Sequence, residues 1–288
     1  MSRISPEALA ILALIGISCL TLIVDYEIYL PMKANEYSSI LPVATILGII
    51  LLLGIIGVVN YYLYSTYRIL TPQDQWTMKD LLITFLLLPI ALVFAAIRVI
   101  DLLIFGTTEV TFTLLGGIRY IDPIATAIFV NIMAFSAYFY MLWGLKMSHK
   151  YKDFYAYIAL LFYIIVGLLC IHPDNNYSNY LEFVTPIKVL ARISLFLAFS
   201  IPATIIIKEV VNRIMKSNDR SKRIRMEILL ASNILIILSL ILWVVDGLIP
   251  ATYSPYIILS NILFLLAFLG VSISIIWPES VSYTHLRA

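Results

Sequence analysis

Six charged side chains interrupt the long apolar stretches of this sequence, and their spacing would let some of them pair. They are Arg98, Asp101, Asp122, Lys188, Arg192 and Asp246. Arg98 and Asp101 stand three residues apart, and Lys188 and Arg192 stand four apart. On a helix both spacings place the two side chains on one face. Charges inside a membrane are costly and tend to mark function, so these residues are the candidate ligand-binding site.

The depth of these residues can be counted along the helices that must carry them. At about 1.5 Å per residue, Arg98 lies about 25 Å from the inner end of its predicted span, and Arg192 lies about 12–14 Å below the outer end of its own. Three cations and three carboxylates then fall in the outer third to half of the membrane. We predict a polar pocket open to the outside, with Arg98–Asp101 and Arg192–Asp246 as pairs.

The residue types indicate what such a pocket would bind. Cationic walls suit a small anionic or zwitterionic ligand, and His172, Tyr120 and Trp243 could line the site. The alternative is that the six charges only extend to the headgroups or pair structurally. That alternative accounts less well for Arg192, which lies deeper than the others.

The composition requires a lipid environment for the elements that hold these charges. Of the residues, 62% are hydrophobic and 12% are charged, and the mean hydropathy is +0.99. Globular domains have about 45–50% apolar and about 25% charged residues. We therefore predict an integral membrane protein whose partner is the lipid bilayer of the cell membrane.

Eight apolar runs are long enough to be membrane spans, which need about 17–25 residues. The predicted spans cover residues 8–24, 40–65, 81–105, 123–145, 154–171, 183–207, 228–248 and 255–277. None alternates strictly between polar and apolar residues, so a β-barrel is disfavoured. The predicted fold is an all-α bundle of about eight transmembrane helices, forming one domain over residues 1–278.

The segment Lys208–Glu227 predicts the orientation, because it holds seven of the nineteen Lys and Arg residues. Basic loops next to spans stay in the cytoplasm. With this loop inside, fourteen of the nineteen lie inside and both termini are cytoplasmic. The residues expected to contact headgroups or a cytoplasmic partner are Arg213, Lys216, Arg220, Lys222, Arg223 and Arg225.

The two ends of the chain carry separate expectations. The first apolar run resembles a signal peptide but lacks a small-x-small site before Asp25, so an uncleaved first span is expected. Residues 279–288 form a short tail, and its VSYTHLRA sequence resembles translated adapter read-through. On that interpretation the natural chain continues after about Ser280; the alternative is a short genuine tail.

Smaller features complete the predicted architecture. The segment 106–122 alternates polar and apolar residues around Gly116-Gly117, which predicts a small external β-hairpin. Pro89 and Pro202 lie inside predicted spans and would free a carbonyl in each helix. Four polar residues nearer the middle of spans are expected to make interhelical hydrogen bonds: Asn131, Tyr138, Ser194 and Ser200.

Motifs for other chemistry are absent from the sequence. The two cysteines lie in apolar runs without a CxxC pattern, and the three histidines lie in or near loops. There is no HExxH, GxSxG or Walker A sequence, no lysine for a retinal Schiff base in the seventh predicted span, and no module that reads nucleic acid. We therefore expect no catalytic residues, no metal site and no cofactor.

The span layout, the short loops and the ending Trp277-Pro278-Glu279 resemble the membrane-integral sensor modules that precede cytoplasmic domains in prokaryotic signalling proteins. The resemblance implies ligand sensing from outside and signal passage through the last helix to a cytoplasmic signalling domain or partner. The alternative is a small-solute transporter. A pocket confined to the outer third would favour sensing, and one reaching mid-membrane between two helix bundles would favour transport. A membrane enzyme is disfavoured.

Overall fold

The structure is a computed structural model that describes residues 5–23, 40–105, 111–114, 117–171, 186–248 and 255–276. Within these ranges the chain forms eight helices and one hairpin. The helices are α1 (Pro6–Ile23), α2 (Ile40–Ile69), α3 (Pro72–Phe105), α4 (Ile121–Met147), α5 (Asp153–Ile171), α6 (Pro186–Lys216), α7 (Arg220–Leu248) and α8 (Pro255–Ile276). The strands are β1 (Thr111–Leu114) and β2 (Gly117–Tyr120).

Local sequence explains where the helices begin. Four start at a proline, which fits the first helical position because its missing N–H would have had no partner there: Pro6, Pro72, Pro186 and Pro255. At α3 the backbone N–H of Asp74 donates to Thr71 Oγ1, and the Thr71 hydroxyl donates to the Asp74 carboxylate at 2.7 Å. These caps satisfy donors that the first helical turn leaves unpaired.

Helix α4 lies at the centre of the bundle. It packs along α1, α3, α5 and α6, and every residue from 131 to 142 is buried. The surrounding helices pack on their neighbours in the order α3, α2, α8, α7, α6, α5 and α1. Residues on α4 are therefore the ones best placed to connect sites on different helices.

The outer surface of the bundle is apolar, which is what a lipid environment requires. By length and composition, six helical segments can cross a membrane: Ile46–Ile69, Pro72–Ile97, Ala127–Met147, Asp153–Ile171, Val189–Lys216 and Arg220–Val245. Large apolar side chains such as Leu47, Leu161 and Leu266 point outward on these and neighbouring helices. The chain is a polytopic membrane protein; eight spans and cytoplasmic termini remain predictions.

Two segments between predicted spans are mostly helical. Between the second and third predicted spans, at residues 66–80, α2 continues to Ile69 and α3 begins at Pro72. Polar residues there stay helical since the turn is capped, with Gln75 Nε2 donating to the Tyr67 carbonyl. In the basic segment, α6 continues to Lys216, and the backbone N–H of Ser221 donates to Asp219 Oδ1 at 2.9 Å at the start of α7.

A hairpin is present where the sequence predicts one. Strands β1 and β2 pair antiparallel, with Thr111 opposite Tyr120 and Leu114 opposite Gly117. Gly117 thus lies in a strand. Strand β2 leads directly into α4, because β2 ends at Tyr120 and α4 begins at Ile121.

Both prolines inside helices have a neighbour that satisfies the carbonyl they leave free. A proline at position i cannot bond the carbonyl at i−4. For Pro89 that carbonyl belongs to Phe85, and Asn60 Nδ2 of α2 donates to it at 2.8 Å. For Pro202 it belongs to Ala198, and the Tyr163 hydroxyl of α5 donates to it.

Candidate functional site

The most polar buried site surrounds the ammonium of Lys146, where three helices meet at one end of the bundle. Lys146 Nζ lies 2.8 Å from Asp80 Oδ2 and 3.1 Å from Glu7 Oε1. It also donates to the backbone carbonyl of Trp76 at 3.3 Å. The side chains of Lys146 and Asp80 are 0% exposed and that of Glu7 is 8% exposed. We call Glu7, Asp80 and Lys146 the Lys146 cluster.

The ends of three helices position these groups. Glu7 lies in the first turn of α1, Asp80 lies one turn after Trp76 on α3, and Lys146 lies in the last turn of α4. Because i and i+4 share a helix face, the Trp76 ring and the Asp80 carboxylate approach Lys146 together. Opposite charges on separate helices thus bring α1, α3 and α4 together at this end.

The turn after α4 closes the site. His149 adopts a left-handed conformation with φ of 56°, its N–H donates to the Lys146 carbonyl, and the Lys150 N–H donates to the Leu145 carbonyl. This is the Schellman arrangement, whose left-handed residue is usually glycine. It reverses the chain and brings Tyr151 back over the end of α4.

Two aromatic rings cover the ammonium. Lys146 Nζ lies 4.3 Å from the centroid of the Trp76 ring and 5.0 Å from that of Tyr151, both within the range of about 6 Å for a cation–π contact. The two rings pack edge to face at 5.1 Å. Burial raises the pKa of the Tyr151 phenol, so its hydroxyl stays protonated.

The residues of the Lys146 cluster were not among the predicted site residues, although the sequence contains a signal for them. Glu7, Asp80 and Lys146 each lie one residue beyond a predicted span, at 8–24, 81–105 and 123–145, and all three ends were assigned to the same side. Residues at span ends are expected to be solvated, so no pairing between these three was predicted. The presence of both positive and negative charges at span ends on the same side of the membrane could have indicated the pairing.

A second feature is a small cavity of about 50 Å³ between α4 and the helices α3, α6, α7 and α8. Apolar side chains dominate its wall, including Phe85, Met133, Ala137, Phe199, Phe264 and Phe268. The polar groups in the wall are Thr84, Ser136 and Tyr140. The volume is enough for a few water-sized molecules and is well below the range of about 300–1,000 Å³ that is usual for small-molecule sites.

The predicted outer site is represented in the described part by one side chain, Arg192. It is 8% exposed, and its guanidinium carbon lies 3.8 Å from the centroid of the Trp243 ring on α7. Two turns along the same helices, Phe199 and Ile236 line the cavity. At about 1.5 Å per residue, Arg192 lies about 10 Å along α6 from the cavity wall, on the same helix face as Phe199.

The other predicted site side chains lie outside the described residues. Their backbone positions are on α3, α4, α6 and α7, but the structure describes no side chain for them: Arg98, Asp101, Asp122, Lys188 and Asp246. The same holds for His172 and for the side chain of Tyr120. The predicted pairs Arg98–Asp101 and Arg192–Asp246 therefore stay predictions.

The basic residues around the α6–α7 turn divide into two groups. Arg213 donates to the Met147 carbonyl at the end of α4 at 2.6 Å and pairs with Glu209 at 2.8 Å. Arg225 donates to the Ser274 carbonyl near the end of α8 at 3.1 Å. These two neutralise helix C-termini inside the bundle. The remaining residues are exposed and keep the predicted headgroup or partner role: Lys216, Arg220, Lys222 and Arg223.

The predicted interhelical hydrogen bonds of mid-span polar residues have mixed outcomes. The Tyr138 hydroxyl donates to the Ala156 carbonyl on α5 at 3.3 Å, which confirms one prediction. The Ser194 hydroxyl instead donates to Ala191 within its own helix, since that carbonyl lies within reach one turn earlier. The prediction for the Ser200 hydroxyl stays a prediction. The Asn131 amide is buried without a hydrogen-bond partner among the described residues.

No group of three or more His, Cys, Asp or Glu side chains in the described ranges could hold a metal ion. Comparison of the chain with protein-family models, with curated proteins and with solved structures finds no match.

Proposed function

We propose that this chain is the membrane-embedded receptor module of a prokaryotic signalling protein in the cell membrane, with both termini cytoplasmic and eight spans. Its ligand is a small amphipathic molecule. The anionic or zwitterionic head group meets Arg192, and the apolar body enters at the small cavity beside α4, whose wall side chains move apart to admit it. The observation that carries the proposal is the alignment of the buried Arg192 with the cavity along one face of α6.

The arrangement of charge and apolar surface supports this ligand class. Ionisable side chains inside a membrane tend to mark functional sites, and the planar guanidinium matches carboxylate and phosphate groups. The cavity below it has an apolar wall with three hydroxyl groups, which suits a hydrocarbon body. The depth of the cavity extends the predicted site from the outer half toward the middle of the bundle.

The position of α8 supports a receptor role. Phe264, Phe268 and Val271 place this last helix in the cavity wall, next to Pro202 of α6. A ligand that enters the cavity displaces side chains of α8 and so changes the packing of α8 against α7 and α2. Signal passage through the last helix is what the resemblance to sensor modules implies.

Photolabelling tests the proposed binding site. The probe is an octanesulfonate that carries a diazirine on its alkyl chain, applied to the purified protein in lipid nanodiscs. We expect mass spectrometry to find the label on cavity-lining residues. Ala137→Leu fills the cavity and should lower the labelling severalfold, whereas Leu266→Phe adds volume on the outward face of α8 and should leave it unchanged.

Arg192→Ala tests the head-group contact. It should abolish labelling by the sulfonate while expression stays intact, and labelling by a neutral octanol probe should persist. If Arg192→Ala leaves sulfonate labelling unchanged, Arg192 is not part of the site. If Ala137→Leu leaves it unchanged, the cavity is not the site.

Transport of a small solute is the second candidate, and the mid-membrane depth of the cavity is the observation that favours it. Uptake of octanesulfonate into liposomes that contain the protein separates the two functions, because the permanent charge prevents passive crossing. Protein-dependent uptake would establish transport. Binding without uptake, together with a ligand-dependent change in distance between spin labels on α8 and α4, would establish the receptor role.

A further inference from the structure

The Lys146 cluster contains two carboxylates and one ammonium. If all three groups are ionised, the buried site carries one net negative charge. Lys146 and Asp80 are fully buried and Glu7 nearly so, so this excess charge would have little water to solvate it. An uncompensated charge at such a site costs several kcal/mol, on the order of what removing one partner of a buried ion pair costs. A buried group in this position takes up a proton.

The neighbouring charged groups do not supply a second buried cation. On α3, Lys79 adjoins Asp80 but its side chain is exposed. At the start of α5, Asp153 faces Tyr151 and is also exposed. Lys79 and Asp153 have opposite charges and lie in solvent, so together they do not neutralise the excess negative charge of the buried cluster. The Tyr151 phenol stays neutral and adds no charge.

The geometry also shows where a proton could bind. Lys146 Nζ donates to Glu7 Oε1 and to the Trp76 carbonyl, and it forms an ion pair with Asp80 Oδ2 at 2.8 Å. Both oxygens of Asp80 are buried, and neither accepts a hydrogen bond from any described residue. Glu7 is stabilised as a carboxylate because it lies in the first turn of α1, where the helix dipole favours negative charge.

From this imbalance we propose that Glu7 and Asp80 share one bound proton beside Lys146, so that the cluster is a proton-binding site of the protein at neutral pH. The proton comes from water and bonds to a carboxylate oxygen; no other bond changes. Glu7, as the partly exposed member, is the route of exchange with solvent. The proposal does not depend on the receptor function.

Release of the proton has a structural consequence. The cluster is the charged contact that ties α1 and α3 to the end of α4. With one proton bound the cluster is neutral. Without the proton it carries a buried negative charge, which favours separation of α1 and α3 from the end of α4 or entry of water between them. The pH on this side of the membrane then governs how tightly α1 is held.

Infrared spectroscopy of the full chain in nanodiscs tests the proposal. A protonated carboxylic acid has a C=O stretching band separate from that of a carboxylate. We expect the wild type to show such a band at neutral pH, shifted in heavy water, with the amplitude of one group per molecule. Two coupled carboxylates hold the proton jointly. Glu7→Gln and Asp80→Asn should therefore each abolish the band, since either leaves one carboxylate paired with Lys146.

The Glu7→Gln variant gives the most decisive result, because it retains Asp80. If the band is absent from this variant, the removal of Glu7 has caused Asp80 to lose the shared proton. The exposed carboxylate variant Asp74→Asn is the control and should keep the wild-type band. Absence of the band from the wild type overturns the proposal without any variant, and so does a band that persists in Glu7→Gln. If Asp80→Asn does not fold, these two measurements decide.

Discussion

Two buried cations, Lys146 and Arg192, each lie over a tryptophan ring but are held differently. Lys146 has carboxylates from two other helices within 3.1 Å, and its nitrogen lies 4.3 Å from the Trp76 ring centroid. The guanidinium carbon of Arg192 lies closer to its ring, at 3.8 Å from the Trp243 centroid. The Lys146 cluster joins three helices through charge, whereas the Arg192–Trp243 contact joins two helices through an aromatic face.

The difference suggests a division of tasks between the two regions. A cation compensated by more than one carboxylate has no charge left for a ligand, so the Lys146 cluster suits structure and proton binding. The Arg192 guanidinium lies over the Trp243 ring and in line with the cavity along α6. Substitutions at the two sites test whether charge holds the Lys146 cluster together and whether the aromatic contact holds Arg192 in place.

Lys146→Met should have the largest effect on stability. It leaves two buried carboxylates without their cation, and breaking such a pair costs about 3–5 kcal/mol. The measurement is unfolding of the purified protein in detergent at neutral pH. Acidification should reduce the loss, because protonation neutralises both carboxylates.

The matched control for this variant is Lys150→Met, in the same turn but with an exposed side chain. It should change the free energy of unfolding by less than about 1 kcal/mol, as is usual for exposed charges. Equal effects of the two substitutions would show that the charges around Lys146 are not what stabilises this end of the bundle.

Replacing each tryptophan by leucine compares the two sites directly. Trp243→Leu should cost about 2 kcal/mol, because Arg192 loses the ring face that covers it in a desolvated setting. Trp76→Leu should cost less, since Lys146 keeps its two carboxylates and the Trp76 side chain is 45% exposed. Both are measured by the same unfolding assay. The comparison fails if Trp76→Leu is the more damaging change.

The two sites also differ in how far the sequence could predict them. Arg192 interrupts an apolar run, so hydropathy alone identifies it as unusual, and Trp243 was proposed beside it. Lys146 ends an apolar run, and a lysine there has the same pattern whether it faces solvent or two carboxylates. Pairing across helices depends on the order of packing, and apolar faces toward lipid and toward protein have the same composition. The cavity was beyond prediction for the same reason.

Helix boundaries show the same limit. The helical core of each predicted span is present, because about twenty apolar residues in lipid have no alternative to a helix. The extension of α3 back to Pro72 was not predicted, since polar residues such as Gln73 and Gln75 resemble a loop in composition. The Thr71–Asp74 cap, which keeps them helical, is a local signal that the sequence does contain.

The helices that carry Asp80 and Arg192 each contain a proline, and in each helix the carbonyl that the proline frees accepts a hydrogen bond from a neighbouring helix. Tyr163→Phe removes the donor to the carbonyl freed by Pro202 on the helix of Arg192. Asn60→Leu removes the donor to the carbonyl freed by Pro89 on the helix of Asp80. Each should cost about 1 kcal/mol, as hydrogen bonds between membrane helices do.

Rescue by alanine separates this mechanism from simple loss of packing. Pro202→Ala restores an N–H that can bond the Ala198 carbonyl, so it should recover the stability lost in Tyr163→Phe and leave that lost in Asn60→Leu unchanged. Pro89→Ala should recover the stability lost in Asn60→Leu and leave that lost in Tyr163→Phe unchanged. If either alanine rescues both variants, the freed carbonyls are not what the two side chains satisfy.

The smallest effect is expected at His149, whose left-handed φ of 56° shapes the turn over the Lys146 cluster. His149→Gly removes a conformational cost of about 1–2 kcal/mol, and the greater freedom of glycine in the unfolded chain offsets about 0.5–1 kcal/mol of that gain. A net stabilisation of about 0.5 kcal/mol should remain in unfolding experiments. His149→Ala keeps a Cβ atom in the same strained region, so it should give no gain. The Arg192–Trp243 site, which this turn does not touch, should respond to neither change. A gain from alanine equal to that from glycine would mean that the histidine side chain, rather than the backbone of the turn, limits the stability of this end.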